Sequence, residues 1–137
     1  MKVQKSKDNM DLNSEKFCIK WTDFDSKLKS SYSSLRHAKD FTDVIIMGDD
    51  FKKINAHRIV LASCSKYFEQ ILQEFKQNCN SPIIVLEGLL ATNLESIMDD
   101  IYKGEVQILQ QDLDSFLKIA KRLQLNRLDE SRFTGHS

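Results

Sequence analysis

Between Asp43 and Phe75 the chain changes its hydrophobic period within a dozen residues, which limits the folds open to it more than any other stretch. Val44-Ile45-Ile46-Met47 is a continuous apolar, β-branched run, the pattern of a buried strand. Gly48-Asp49-Asp50 is a turn signal, and Phe51 to Ala56 alternates weakly, as the second strand of a hairpin would. From His57 the spacing becomes helical. His57 to Ser63 and Ser65 to Phe75 read as two short helices, with Ser65 placed to cap the second.

The remaining segments mix the two periods in the same way. Asn78 to Pro82 reads as a loop and Ile83 to Leu86 as a short strand. Thr92 or Asn93 can cap a helix whose apolar face is Leu94, Ile97, Met98, Ile101 and Tyr102, and Gly104 ends it as a glycine after a helix does. Val106 to Leu109 reads as a strand. Asp112 opens a helix with Leu113, Phe116, Leu117, Ala120 and Leu123 on one face, and Leu125 and Leu128 begin a last short one. Near the start, Phe17-Cys18-Ile19-Lys20-Trp21 alternates with period two, as a half-buried strand does. Thr22 or Asp23 can cap the helix that follows, whose stripe is Phe24, Leu28, Tyr32 and Leu35. Residues 1–16 and 129–137 lack periodicity and read as flexible tails around one domain at 17–128. Strands and short helices without strict βαβ alternation make an α+β fold, a small sheet flanked by short helices with an extra N-terminal strand.

Several functions are disfavoured by composition. An apolar share of 41% suits a globular chain, and 137 residues suffice for one core. Lys plus Arg equals Asp plus Glu at 20 each, a balance that offers nucleic acid no broad basic face. The three cysteines, Cys18, Cys64 and Cys79, are too scattered for a disulfide framework, which fits a reducing compartment. Residues 1–16 do not resemble a signal peptide, and no apolar run approaches the roughly 20 residues of a membrane helix. His57 and Cys64 could share a helix face, but a zinc site needs more ligands and a nucleophilic cysteine needs a base and an accessible setting. They read as a hydrogen-bonded structural histidine and a buried small cysteine. No phosphate-cradling glycine loop or catalytic carboxylate pair is visible. The chain is expected to be no enzyme and to hold no cofactor or metal.

Asp43-Val44, then Ala56-His57-Arg58 with Val60-Leu61, Ser65-Lys66-Tyr67-Phe68, and Tyr102-Lys103-Gly104-Glu105-Val106 together resemble the BTB/POZ domain. Phe17-Cys18-Ile19-Lys20-Trp21, a helix, then Phe41-Thr42-Asp43-Val44 is similar to the insect tramtrack-type group, whose hallmark is Phe-Cys-Leu-Arg-Trp-Asn-Asn. Two departures stand out: a hairpin over Gly48 to Asn55 about one residue longer than usual, and Asp100 at a position that is usually apolar or aromatic.

The resemblance implies a protein–protein interaction module. Phe24, Leu28, Tyr32 and Leu35 would pack on the same helix of a second subunit. Asp43 and Arg58 would form a charged pocket at that dimer interface, the alternative being a purely local cap or ion pair. An Asp at the start of a buried strand needs such a partner, because an unpaired buried charge is costly. Phe17, Cys18, Ile19, Lys20 and Trp21 would serve higher-order assembly, in this group often hexameric, or exchange within a dimer. Partners would be the chain itself, other BTB proteins and transcriptional cofactors, with no direct contact to nucleic acid or membrane. The expected setting is a nuclear transcription or chromatin-architecture regulator, with the cytosol as the other compartment. A substrate adaptor for a cullin ubiquitin ligase, using Ser65 to Phe75 and the Asn78 loop, is the alternative.

Overall fold

The computed structural model describes residues 1–5, 15–75 and 80–125. In chain order these form β1 (Lys2–Lys5), β2 (Phe17–Lys20), α1 (Phe24–Leu35), β3 (Val44–Met47), β4 (Ile54–Ala56), α2 (Arg58–Cys64), α3 (Lys66–Gln73), β5 (Ile83–Val85), α4 (Ala91–Lys103) and α5 (Leu113–Arg122). A 3-10 turn at Gln110–Asp112 leads into α5. The architecture is the expected α+β arrangement. β3 lies at the centre of a three-stranded sheet, antiparallel to β4 with Ile45 opposite Asn55, and parallel to β5 with Ile45 opposite Ile83. β1 and β2 form a separate antiparallel ribbon.

The core is built on α4. Leu94, Ile97, Met98, Ile101 and Tyr102 recur at helical spacing and are all buried. They meet Val44 and Ile46 of β3, Val60 and Leu61 of α2, Phe68 of α3, and Phe116 and Ala120 of α5 in one cluster. Ser65 caps α3 as expected: its hydroxyl oxygen accepts the Phe68 N–H at 3.1 Å. That hydroxyl also donates to the Leu123 carbonyl, so this buried side chain is satisfied both ways. Gly104 ends α4 in the left-handed region at φ 81°, with its N–H on the Asp100 carbonyl at 2.9 Å. Asp100 itself is buried within the helix.

Several local expectations are corrected. α4 begins at Ala91, so neither Thr92 nor Asn93 is its N-cap. Asn93 reaches back to accept the Leu90 N–H at 2.9 Å, while Asp50 of the hairpin turn accepts the Ala91 N–H at 3.0 Å. A tertiary cap therefore replaces a local one, and it puts a carboxylate at the positive end of the helix. The expected strand over Phe51 to Ala56 is confined to Ile54–Ala56, because Phe51 takes φ 59° and leaves the extended region. Val106 to Leu109 forms no strand; Val106 and Ile108 lean on the core while Gln107 and Leu109 are exposed, and no described strand lies beside it. Leu125 bridges Ser65 rather than starting a helix, and Leu128 lies outside the described residues. Asp23 precedes α1 with φ 60°, and its side chain makes no capping bond. Within residues 1–16, Lys2–Lys5 is a strand rather than a tail; its Val3 and Gln4 lie opposite Ile19 and Cys18. Residues 6–14 and 126–137, and the Asn78 end of the expected loop, lie outside the described residues.

Candidate interaction surface

α1 is a polar helix with one thin apolar stripe, and no residue of it is buried. Phe24, Leu28 and Tyr32 are 51%, 44% and 40% exposed, and only Leu35 at the C-terminal end leans on the core. What fastens the helix is the residue after it. Arg36 is buried, and its guanidinium donates through Nε to Asp99 Oδ1 at 3.0 Å and through Nη2 to the Glu95 carboxylate, both on α4. Towards its N-terminus α1 stands clear of the body. Asp25, Leu28, Lys29 and Tyr32 face Val60, Cys64, Ile101 and Tyr102 across an open groove of about 470 Å³. A surface ion pair, Lys29 to Glu105 at 3.5 Å, is a further link, and such pairs contribute little.

The ribbon continues this exposed apolar surface. Phe17, Ile19 and Trp21 are 58%, 60% and 60% exposed, and the Trp21 ring meets Phe24 edge-on at 5.9 Å between centroids. Cys18 and Lys20 lie between them in sequence and are also exposed. The predicted stripe and the predicted assembly strand are thus joined, at the Trp21–Phe24 contact, into one surface.

Asp43 and Arg58 are brought together. Asp43 Oδ1 accepts the Arg58 backbone N–H at 2.7 Å, and the Arg58 Nε–H donates to the Asp43 carbonyl at 2.8 Å. The guanidinium Nε is 3.8 Å from Oδ2, a loose ion pair. The premise of a buried charge is corrected: the Asp43 side chain is 51% exposed, because Asp43 precedes the first buried residue of β3. The carboxylate is open to solvent and accepts the first amide of α2, the geometry of a helix cap from outside the helix.

His57 is a structural histidine. Its backbone N–H donates to the Tyr102 hydroxyl at 2.9 Å, its Nδ1 lies 2.9 Å from the same oxygen, and Nε2 is 3.0 Å from the Asp40 carbonyl. A carbonyl can only accept, so Nε2 carries the proton and Nδ1 accepts from the tyrosine. Burial pushes the Tyr102 hydroxyl up to about 12, against the opposing pull of the His57 amide. Cys64 is half-exposed on the groove rather than buried. Among the described residues no group of three or more His, Cys, Asp or Glu side chains could hold a metal, and no helix is long and apolar enough to cross a membrane.

Sequence reasoning missed Arg36, whose signal was faint: a basic residue one position past the stripe. It also missed Phe41 and Ile59, 90% and 80% exposed, which flank the Asp43–Arg58 link in sequence. Ile59 could have been found, since it falls off the face made by Val60, Leu61 and Cys64.

Comparison with known proteins places the chain in a family. The family model described as BTB/POZ domain matches residues 32–132. The chain is 37% identical over 117 residues to the Longitudinals lacking protein-like of Drosophila melanogaster, covering 85% of this chain and 90% of that one. It is 33% identical over 121 residues to the alpha isoform of Protein tramtrack from the same organism, covering 88% of this chain but only 14% of that protein. The solved BTB (Tramtrack and Bric a brac) domain of human Gigaxonin superposes with a TM-score of 0.65 at 23% identity, over 80% of this chain and 87% of that one, a likeness of fold. The chain belongs to the BTB/POZ domain family, a family of protein-interaction modules and not of enzymes.

Proposed function

We propose that this chain is a self-association module that pairs through α1 and assembles further through β2. The observation that carries the reading is the helix without a buried residue. A 12-residue polar helix gains little from propensity alone and needs a packed face, yet Phe24, Leu28 and Tyr32 remain exposed. A two-fold partner solves this with a single stripe, because such an interface is self-complementary. Asp43 and Arg58, with the exposed Ile59 beside them, extend the same proposal to a rim of charge and apolar contact. Phe17, Ile19 and Trp21 supply the larger assembly, hexameric in the fullest form of the reading.

Kinship supports a reading of the cellular role. Likeness to Protein tramtrack supports a nuclear transcription or chromatin-architecture regulator in which this domain joins several chains and recruits cofactors. Joining chains raises effective concentration at their targets without new contacts to DNA. The cullin-adaptor alternative would use the exposed side of α3, and binding to a cullin N-terminal domain tests it.

Light scattering across a dilution series tests the central reading, with 15.9 kDa as the mass of one chain. A dimer or a multiple of dimers is expected, and Leu28→Asp is expected to weaken it at least a hundredfold. A wild-type chain that stays at one-chain mass into the high micromolar range overturns it.

A further inference from the structure

The ribbon formed by β1 and β2 has two unlike sides. Directly opposed residues of an antiparallel pair share a face, and so do residues two apart on one strand. Val3 opposite Ile19 and Lys5 opposite Phe17 therefore lie on one side, while Lys2 opposite Lys20 and Gln4 opposite Cys18 lie on the other. Every residue of both strands is exposed. One side carries three exposed apolar residues, Val3 at 62%, Phe17 at 58% and Ile19 at 60%, with Lys5 at its end paired to Glu15; the other is mainly polar and basic. A two-stranded ribbon is marginal in water by itself. Such a division of faces is the pattern of a sheet that has one side covered.

We infer that Lys2–Lys5 is an interface strand: it widens the apolar face of β2, and the ribbon docks as a unit on a second copy of this chain. The inference rests on the proposed self-association and goes beyond it by adding Val3 and by making the docking element two strands. Two observations favour a second copy as occupant. The ribbon runs into the α1 stripe, through the Trp21–Phe24 ring contact and through an open hollow of about 300 Å³ lined by Met1, Trp21, Thr22 and Lys27. The exposed apolar side chains of ribbon and stripe together then offer on the order of 800 Å², which is what one partner of a stable interface contributes. Neither element reaches that area alone. β1 also occupies one edge of β2, so among the described residues the ribbon keeps one free edge on each strand.

Val3→Asp puts a charge on the apolar side without touching the core, and is expected to weaken self-association about ten- to a hundredfold. Gln4→Glu, on the opposite side, is expected to leave it unchanged. Gln4→Cys places a thiol directly opposite Cys18, close enough for a disulfide that locks β1 to β2. The oxidised chain, with the bridge confirmed by peptide mass, is expected to keep the wild-type particle mass. Three results overturn the inference alone: a Val3→Asp chain that associates like wild type, a Gln4→Glu chain as weakened as Val3→Asp, or a locked chain of smaller particle mass. A wild-type chain that is monomeric overturns this inference together with the self-association it rests on.

Discussion

Arg36 and Asp99 are joined across the α1–α4 boundary by an Nε–H to Oδ1 bond of 3.0 Å, with the arginine side chain only 4% exposed and the aspartate 34% exposed. The same guanidinium holds Glu95, and Lys103 stands 3.6 Å from Asp99 on the next turn of α4. The buried cation thus meets carboxylates that still reach water, a cheaper arrangement than a wholly buried pair. This link decides how an exposed helix stays on the body.

Arg36→Ala should lower stability by about 1–2 kcal/mol, since the two carboxylates left behind can hydrate but the packed stem and its bonds are lost. Arg36→Lys should recover less than half of this, because an ammonium cannot reproduce the fork that reaches two carboxylates. Urea unfolding at one fixed protein concentration measures both. Equal stability of all three chains would mean that α1 is held by its stripe instead.

Asp43 separates a cap from an interface charge. Asp43→Ala removes the acceptor of the Arg58 amide and should cost about 1 kcal/mol, the usual worth of a capping side chain. Asp43→Asn keeps an oxygen in place while removing the charge. It should leave the melting temperature within a degree or two and weaken self-association several-fold by sedimentation. If Asp43→Asn associates as wild type does, the carboxylate is a cap and nothing more.

Gly48 is required by contact, not by its dihedral angles. A Cβ there would stand 2.0 Å from the Leu89 carbonyl oxygen, beside the bond from the Asp49 N–H to that same oxygen at 2.7 Å. Gly48→Ala would push the turn away from the segment that starts α4, and with it the Asp50 cap on Ala91. A loss of about 2–4 kcal/mol is expected, in the range of overpacking combined with a lost cap. Thermal unfolding of Gly48→Ala with wild type alongside checks this, and a shift under two degrees would contradict it.

The legible parts of the fold were those that one segment's own pattern determines. Leu94, Ile97, Met98, Ile101 and Tyr102 share a face because the helical period puts them there, and Ser65 caps the helix it begins. The α1 stripe was legible for the same reason. What failed depends on distant chain: Asp50 capping Ala91, Arg36 reaching Glu95 and Asp99, and Val3 beside Ile19. Val106 to Leu109 shows the converse, since its alternating burial is present but a strand also needs a neighbour. Asp43 was misjudged because the apolar run after it was taken to include it.

Tyr102 gives the fold its alkaline limit. Its hydroxyl is buried, accepts the His57 amide and donates to Nδ1, so ionisation would remove the donor and place a charge in the core. The group titrates at about 12 in the folded chain against an ordinary 10. The unfolded chain therefore loses this proton first as pH rises. The stabilisation is complete below about pH 10 and is lost progressively as pH climbs towards 12. Tyr102→Phe would orphan the buried His57 amide and should cost about 1–3 kcal/mol at neutral pH. Its deficit relative to wild type should shrink between pH 10 and 12, where the native tyrosine loses its advantage. Absorbance titration of phenolate, with Tyr102→Phe to identify the component, gives the folded value directly. A Tyr102 that ionises at 10 in the folded chain, or a deficit that does not change with pH, would remove this account of the His57–Tyr102 pair.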